Sequence, residues 1–100
     1  MIAALARLLR PRTAANLSHW KVTVYTREGC GCCLTAMGVL EPLRARHGFA
    51  LETVDIDTSP DLTARYGLEV PVVAIDGKVR FKGKIIPELL DRLIEAEGRS

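Results

Sequence analysis

The chain has no apolar run approaching the roughly 18 to 20 residues that a membrane-spanning helix needs, so no span is expected. It has no cysteine outside Cys30, Cys32 and Cys33. A secreted disulfide scaffold spreads its cysteines to staple distant parts of the chain, and here nothing distant can be stapled. No second C-x-x-C and no nearby histidine supplies the fourth ligand of a tetrahedral zinc site. There is no internal repeat and no low-complexity segment, and no acidic residue precedes Glu28. The net charge of +2 is too small to indicate a nucleic-acid partner by itself. What remains is an ordinary globular composition, 48% apolar and 26% charged, which argues against disorder. One hundred residues allow one domain with a real hydrophobic core.

Residues 1–19 read as an extension ahead of a domain at 20–100. Arg7, Arg10 and Arg12 accompany Ile2, Leu5, Leu8 and Leu9 at helical spacing. That is the style of an arginine-rich transit segment, or of a short helix that lies on the domain or stays loose. Arg7 interrupts the apolar stretch, which argues against a secretory signal. Pro11 ends any such helix, and Thr13–Ser18 reads as a linker.

From Trp20 onward the pattern is regular. Lys21–Thr26 carries strand formers Val22, Val24 and Tyr25. A helix is expected from Gly31 to His47, stopped by Gly48 and kinked near Gly38–Pro42. Leu51–Asp57 reads as a strand with Val54 and Ile56 on one face. Ser59-Pro60-Asp61 is a helix start, with a capping serine, proline at the first position and an acid in the first turn. That helix ends at Tyr66-Gly67. Val72–Ile75 and Lys78–Phe81 are strands joined by Asp76-Gly77, a two-residue hairpin turn. Pro87 opens a last helix with Ile86, Leu89, Leu90, Leu93 and Ile94 as its buried stripe, and Gly98 ends it. The order β-α-β-α-β-β-α requires a right-handed crossover and gives a mixed four-stranded sheet flanked by three helices.

Chemistry concentrates at Cys30-Gly31-Cys32-Cys33. Cys30 and Cys33 form a C-x-x-C at a strand-to-helix junction, a redox signature. The first helical turn carries about half a positive charge and unpaired N–H groups, and both favour the reactive thiolate. One turn of helix lets Cys33 reach back to Cys30. Three roles are open to Cys32: an inert thiol, a third redox participant, or a soft-metal or cluster ligand together with Cys30 and Cys33.

Bland explanations suit the other noticeable residues. His19 and His47 are expected at the surface and Met37 in the core. Tyr25 is expected in the core or the site wall. Asp55 and Asp57 read as the polar face and end of a strand rather than a cation site.

The element order, the C-x-x-C and a Val-Pro just before the third strand together resemble the glutaredoxin-like proteins of the thioredoxin-fold superfamily. The segments that carry the likeness are Val24-Tyr25-Thr26-Arg27-Glu28-Gly29-Cys30, Val54-Asp55-Ile56-Asp57 and Tyr66-Gly67-Leu68-Glu69-Val70-Pro71, and it covers about residues 20–97. The resemblance implies an α/β thioredoxin-like fold, a cis Val70–Pro71 bond facing the dithiol, and a Val70 backbone that pairs with the substrate chain. Three features depart from the glutathione-using members: Glu69 stands where they have threonine, Lys82-Gly83-Lys84-Ile85 has one glycine and no aspartate, and Gly31-Cys32 separates the cysteines.

The expected function is thiol–disulfide exchange, with Cys30 as nucleophile and Cys33 as resolving thiol. Arg27, Val70, Pro71, Gly83 and Lys84 are the expected substrate-binding residues. Arg27 could also favour the Cys30 thiolate, or be a solvated surface charge. Lys82, Lys84 and Arg27 could draw a carboxylate-bearing partner. No cofactor is required, and glutathione as the reductant is in doubt. The partners are a disulfide-bearing protein or a low-molecular-weight thiol, and a thioredoxin-reductase-type or glutathione reducing system. No nucleic acid or membrane is involved, and a cytoplasmic monomer is expected. The competing readings are a soft-metal or iron–sulfur protein using Cys30, Cys32 and Cys33, and a non-catalytic adaptor.

Overall fold

A computed structural model describes residues 16–98. Most of the extension, including the pattern of Ile2 to Leu9, lies outside them. Strand β1 (Lys21–Thr26) leads into helix α1 (Gly31–His47), then β2 (Ala50–Asp55), a 3-10 turn at Ile56–Thr58, and α2 (Pro60–Tyr66). The hairpin β3 (Val72–Ile75) and β4 (Lys78–Lys82) follows, and α3 (Pro87–Gly98) closes the order. The sheet runs β2-β1-β3-β4, with β1 parallel to β2 and antiparallel to β3.

Local chemistry sets most element ends. Ser59 caps α2 through its hydroxyl, which accepts from the Leu62 N–H, with Pro60 at the first helical position. Gly48 stops α1 in the left-handed region at φ 80°. Asp76 (φ 52°) and Gly77 (φ 83°) make the hairpin turn, both at positive φ as a type I′ turn demands. Helix α1 is one element across Pro42.

β3 is buried along its whole length, which requires cover on both faces. Val73 and Ile75 share a core with Val22, Val24, Leu40 of α1, and Leu90 and Ile94 of α3. Val72 packs on the other face with Ile56 and Tyr66, beside Leu62. So α1 and α3 cover one face, and α2 with its preceding turn covers the other. Cys33, Ala36, Leu40 and His47 are the buried residues of α1; they recur at helical spacing, so the stripe that holds Leu40 against the sheet also buries Cys33.

Several expectations are corrected. The second strand stops at Asp55, because the Asp55 carboxylate accepts from the Asp57 N–H at 2.9 Å and turns the chain into the 3-10 element. The stripe of α3 is narrower than its sequence suggests: Leu90 and Ile94 are buried and Leu93 half-buried, whereas Ile86 and Leu89 face solvent. His47 is buried, not at the surface, because the last turn of α1 carries it inward; His19 is exposed and pairs with Glu97 at 3.0 Å. Met37 is half-buried at the core margin. Packing also begins before the expected boundary at Trp20. Leu17 is fully buried in the main core, and its N–H donates to the His47 carbonyl at 2.9 Å. Among the described residues, no helix is long and apolar enough to cross a membrane.

Candidate active site

The end of β1, the start of α1, the turn before α2 and the approach to β3 meet at one end of the sheet. Cys30 is the N-cap of α1. Its sulfur accepts from the Cys33 N–H at 3.1 Å, one of the orphan donors of the first turn. Cys30 and Cys33 are joined in a disulfide. Cys30 is half-buried and Cys33 buried, so Cys30 is the more open residue of the two. No acidic residue lies in the first turn of α1 to oppose a negative charge there.

Cys32 stands apart. Successive helical residues are rotated by about 100°, so its side chain is exposed in a separate groove of about 210 Å³ with Thr35, Val39, Lys84 and Ile85. The groove beside Cys30 and Cys33 is about 410 Å³ and is bounded by Gly29, Leu34, Met37 and Thr53. The three cysteines that the metal reading gathers thus face two different grooves. Among the described residues, no group of three or more His, Cys, Asp or Glu is arranged to hold a metal ion.

Of the expected binding residues, Val70, Pro71 and Gly83 come together. The Val70–Pro71 bond is cis. The Gly83 N–H donates to the carbonyls of Glu69 and Pro71, each at 2.8 Å, and so holds the chain on both sides of Val70. Gly83 has φ 83°, a conformation that favours glycine. Lys84 instead belongs to the Cys32 groove.

Arg27 is a tether. Its Nη2 donates to Asp57 at 2.7 Å, its Nε reaches the same carboxylate, and its Nη1 donates to the Gly67 carbonyl at 3.0 Å. Through these bonds Arg27 ties the loop before Cys30 to the turn after β2 and to the loop that leads to Pro71. A Cβ at Gly67 would lie 2.6 Å from the Thr63 carbonyl oxygen, so any other residue there would require the backbone to shift. Asp57 and Gly67 were missed as site residues because a sequence places neither beside Arg27. The only signal was an aspartate at a predicted strand end.

Hydrogen bonding from Arg27 holds the Asp57 carboxyl below its ordinary range, aided by the guanidinium charge and opposed by partial desolvation. A depressed carboxyl contributes its interaction above its unfolded pKa and loses it as pH falls through the folded value. The tether is therefore expected to persist through mildly acidic pH and to release only below the ordinary carboxylate range. In an NMR titration the Asp57 carboxyl should shift below the ordinary value, and Arg27→Gln should return it to that range.

A disulfide at a helix N-cap and a cis-proline ahead of β3, on a mixed four-stranded sheet, define a thioredoxin-fold protein whose site fits thiol–disulfide oxidoreductase chemistry. Residues 21–95 match the family described as Glutaredoxin-like domain (DUF836), and the chain belongs to that family. An uncharacterized protein of Mycobacterium tuberculosis is 34% identical over 67 residues, 62% of this chain and 69% of that protein. The solution structure of protein Ne2328 from Nitrosomonas europaea has a TM-score of 0.66 at 29% identity, covering 74% of this chain and 89% of its own. A thioredoxin from Halobacterium salinarum shares the fold at a TM-score of 0.56 and 21% identity, covering 89% of this chain and 95% of its own.

Proposed function

We propose that the chain is a dithiol oxidoreductase in which Cys30 attacks a substrate disulfide and Cys33 resolves the product. The reading rests on one observation above the rest: the sulfur of Cys30 sits at the α1 N-cap and accepts the Cys33 N–H. That donor and the helix N-terminus favour a thiolate at Cys30.

The cycle starts from the reduced pair. The Cys30 thiolate attacks one sulfur of the substrate disulfide, and the other substrate sulfur leaves as a thiolate and takes up a proton. Cys33 loses its proton and attacks the Cys30 sulfur. The Cys30–Cys33 bond forms, and the substrate's remaining sulfur leaves and is protonated. Two electrons have passed from the dithiol to the substrate. A low-molecular-weight thiol or a dithiol-based reducing system then returns the pair to the reduced state, which suits a reducing compartment such as the cytoplasm. Val70, outside the strands and between the carbonyls that Gly83 holds, offers main-chain groups to an extended substrate segment.

The test is a redox titration in defined thiol buffers, trapped by alkylation and read by peptide mass at each cysteine. A reversible two-electron couple confined to Cys30 and Cys33 is expected. If no such couple appears, or if Cys32 must take part in it, the proposal is wrong.

A further inference from the structure

One leucine, Leu34, lines the dithiol groove, and a second exposed leucine, Leu68, follows the Gly67 carbonyl that Arg27 holds. Leu68 is fully exposed and Leu34 is 76% exposed, the two highest values for large apolar residues among the described residues. Leu34 lies one turn after Cys30, and its N–H donates to the Cys30 carbonyl at 3.4 Å. Leu68 follows Gly67, whose carbonyl is held by Arg27, three residues before Cys30. Single exposed leucines are common, but one that lines a groove beside a reactive disulfide is the start of an apolar contact surface.

Leu34 also forms a wall of the groove of about 410 Å³ that runs from Cys30 and Cys33, past Met37, to Thr53 on the edge strand β2. Its lining is mostly apolar.

The charges point the same way. The Arg27 guanidinium is engaged by Asp57 and by Gly67. Lys82 lies 3.6 Å from the Glu69 carboxylate, and Lys84 lines the groove of Cys32. Glu28 borders the dithiol groove as an exposed carboxylate. A ligand carrying free carboxylates next to its disulfide would meet Glu28 there, and the cation at the groove already has its own carboxylate partner.

We infer that the substrate disulfide is borne by a protein segment with an apolar side chain next to the reacting cysteine, and not by glutathione, a small anionic tripeptide. This rests on the oxidoreductase reading of Cys30 and Cys33. The apolar side chain enters the groove between Leu34, Met37 and Thr53. The Cys30 sulfur bonds to the sulfur of the substrate cysteine beside that apolar residue. The other substrate sulfur leaves as a thiolate and takes up a proton.

The experiment uses the full chain, reduced, with three probes: a disulfide-linked peptide pair carrying leucine beside one cysteine, the same pair with aspartate in place of that leucine, and oxidised glutathione. Rates are read by rapid alkylation of Cys30 and Cys33. The leucine peptide is expected to react roughly ten-fold or more faster than either other probe, the scale of discrimination that one apolar contact supplies. Leu34→Asp, at an exposed position, is expected to cut the ratio of leucine-peptide to glutathione rates about ten-fold. If glutathione reacts as fast as the leucine peptide, or if Leu34→Asp lowers all rates equally, the inference is overturned while the dithiol chemistry stands. If no probe reacts and the titration finds no couple, the oxidoreductase reading falls and takes the inference with it.

Discussion

Cys30→Ser is expected to remove disulfide reduction almost entirely, by at least about a thousand-fold, because a hydroxyl at that position supplies no thiolate at neutral pH. Cys33→Ser is expected to behave differently. Its Cys30 still attacks, but the internal resolving step is gone, so a mixed disulfide should accumulate at Cys30 and be visible by intact mass. The burial difference between the two residues is the reason for the asymmetry: Cys33 lies on the stripe of α1 that faces the core, and Cys30 caps the helix end. Accumulation of the adduct in Cys30→Ser rather than Cys33→Ser would reverse the assignment. Cys32→Ser serves as the comparison, since Cys32 opens to a different groove.

Leu17→Ala is expected to cost about 2 to 5 kcal/mol, the range for emptying a fully buried leucine site. For a domain of this size that lowers Tm by roughly 10 °C or more. A linker residue would change stability by no more than about 0.5 kcal/mol, so a thermal or denaturant unfolding curve separates the two cases. Leu17 is completely buried, shares the core with Trp20, Leu40 and Phe49, and bonds through its N–H to the end of α1. A null result would return the boundary to the position that the sequence suggested.

What was legible in the sequence was what local rules decide. β1, the two ends of α1, the Ser59-Pro60 start and the Asp76-Gly77 turn each depend on neighbouring residues and were placed correctly. So was the C-x-x-C pair, whose spacing brings the sulfurs together once the first turn of α1 forms. The errors fall where distant parts decide. Ile86 and Leu89 satisfy the helical spacing of a buried stripe, yet the sheet face that α3 meets accommodates only Leu90 and Ile94 fully. His47 looks like a surface residue until α1 is docked. Leu17 sits in a polar, loop-like stretch, and only the closing of the core over it makes it structural. At the site, Arg27 was visible as a cation near Cys30, but its partner Asp57 lies 30 residues away and faces it only after the β2 end turns over.

The place of β1 in the sheet has a consequence for the order in which the protein becomes competent. Its terminal residues lead directly into the cysteines, but one of its two neighbours, β3, begins only at Val72. During synthesis both thiols emerge long before the strand that completes their support, and the loop around Val70 is fixed later still, when Gly83 arrives to hold it. Pairing across such separations is slow relative to local helix formation. The nascent chain therefore carries both cysteines before the strand and the loop that support them have been made.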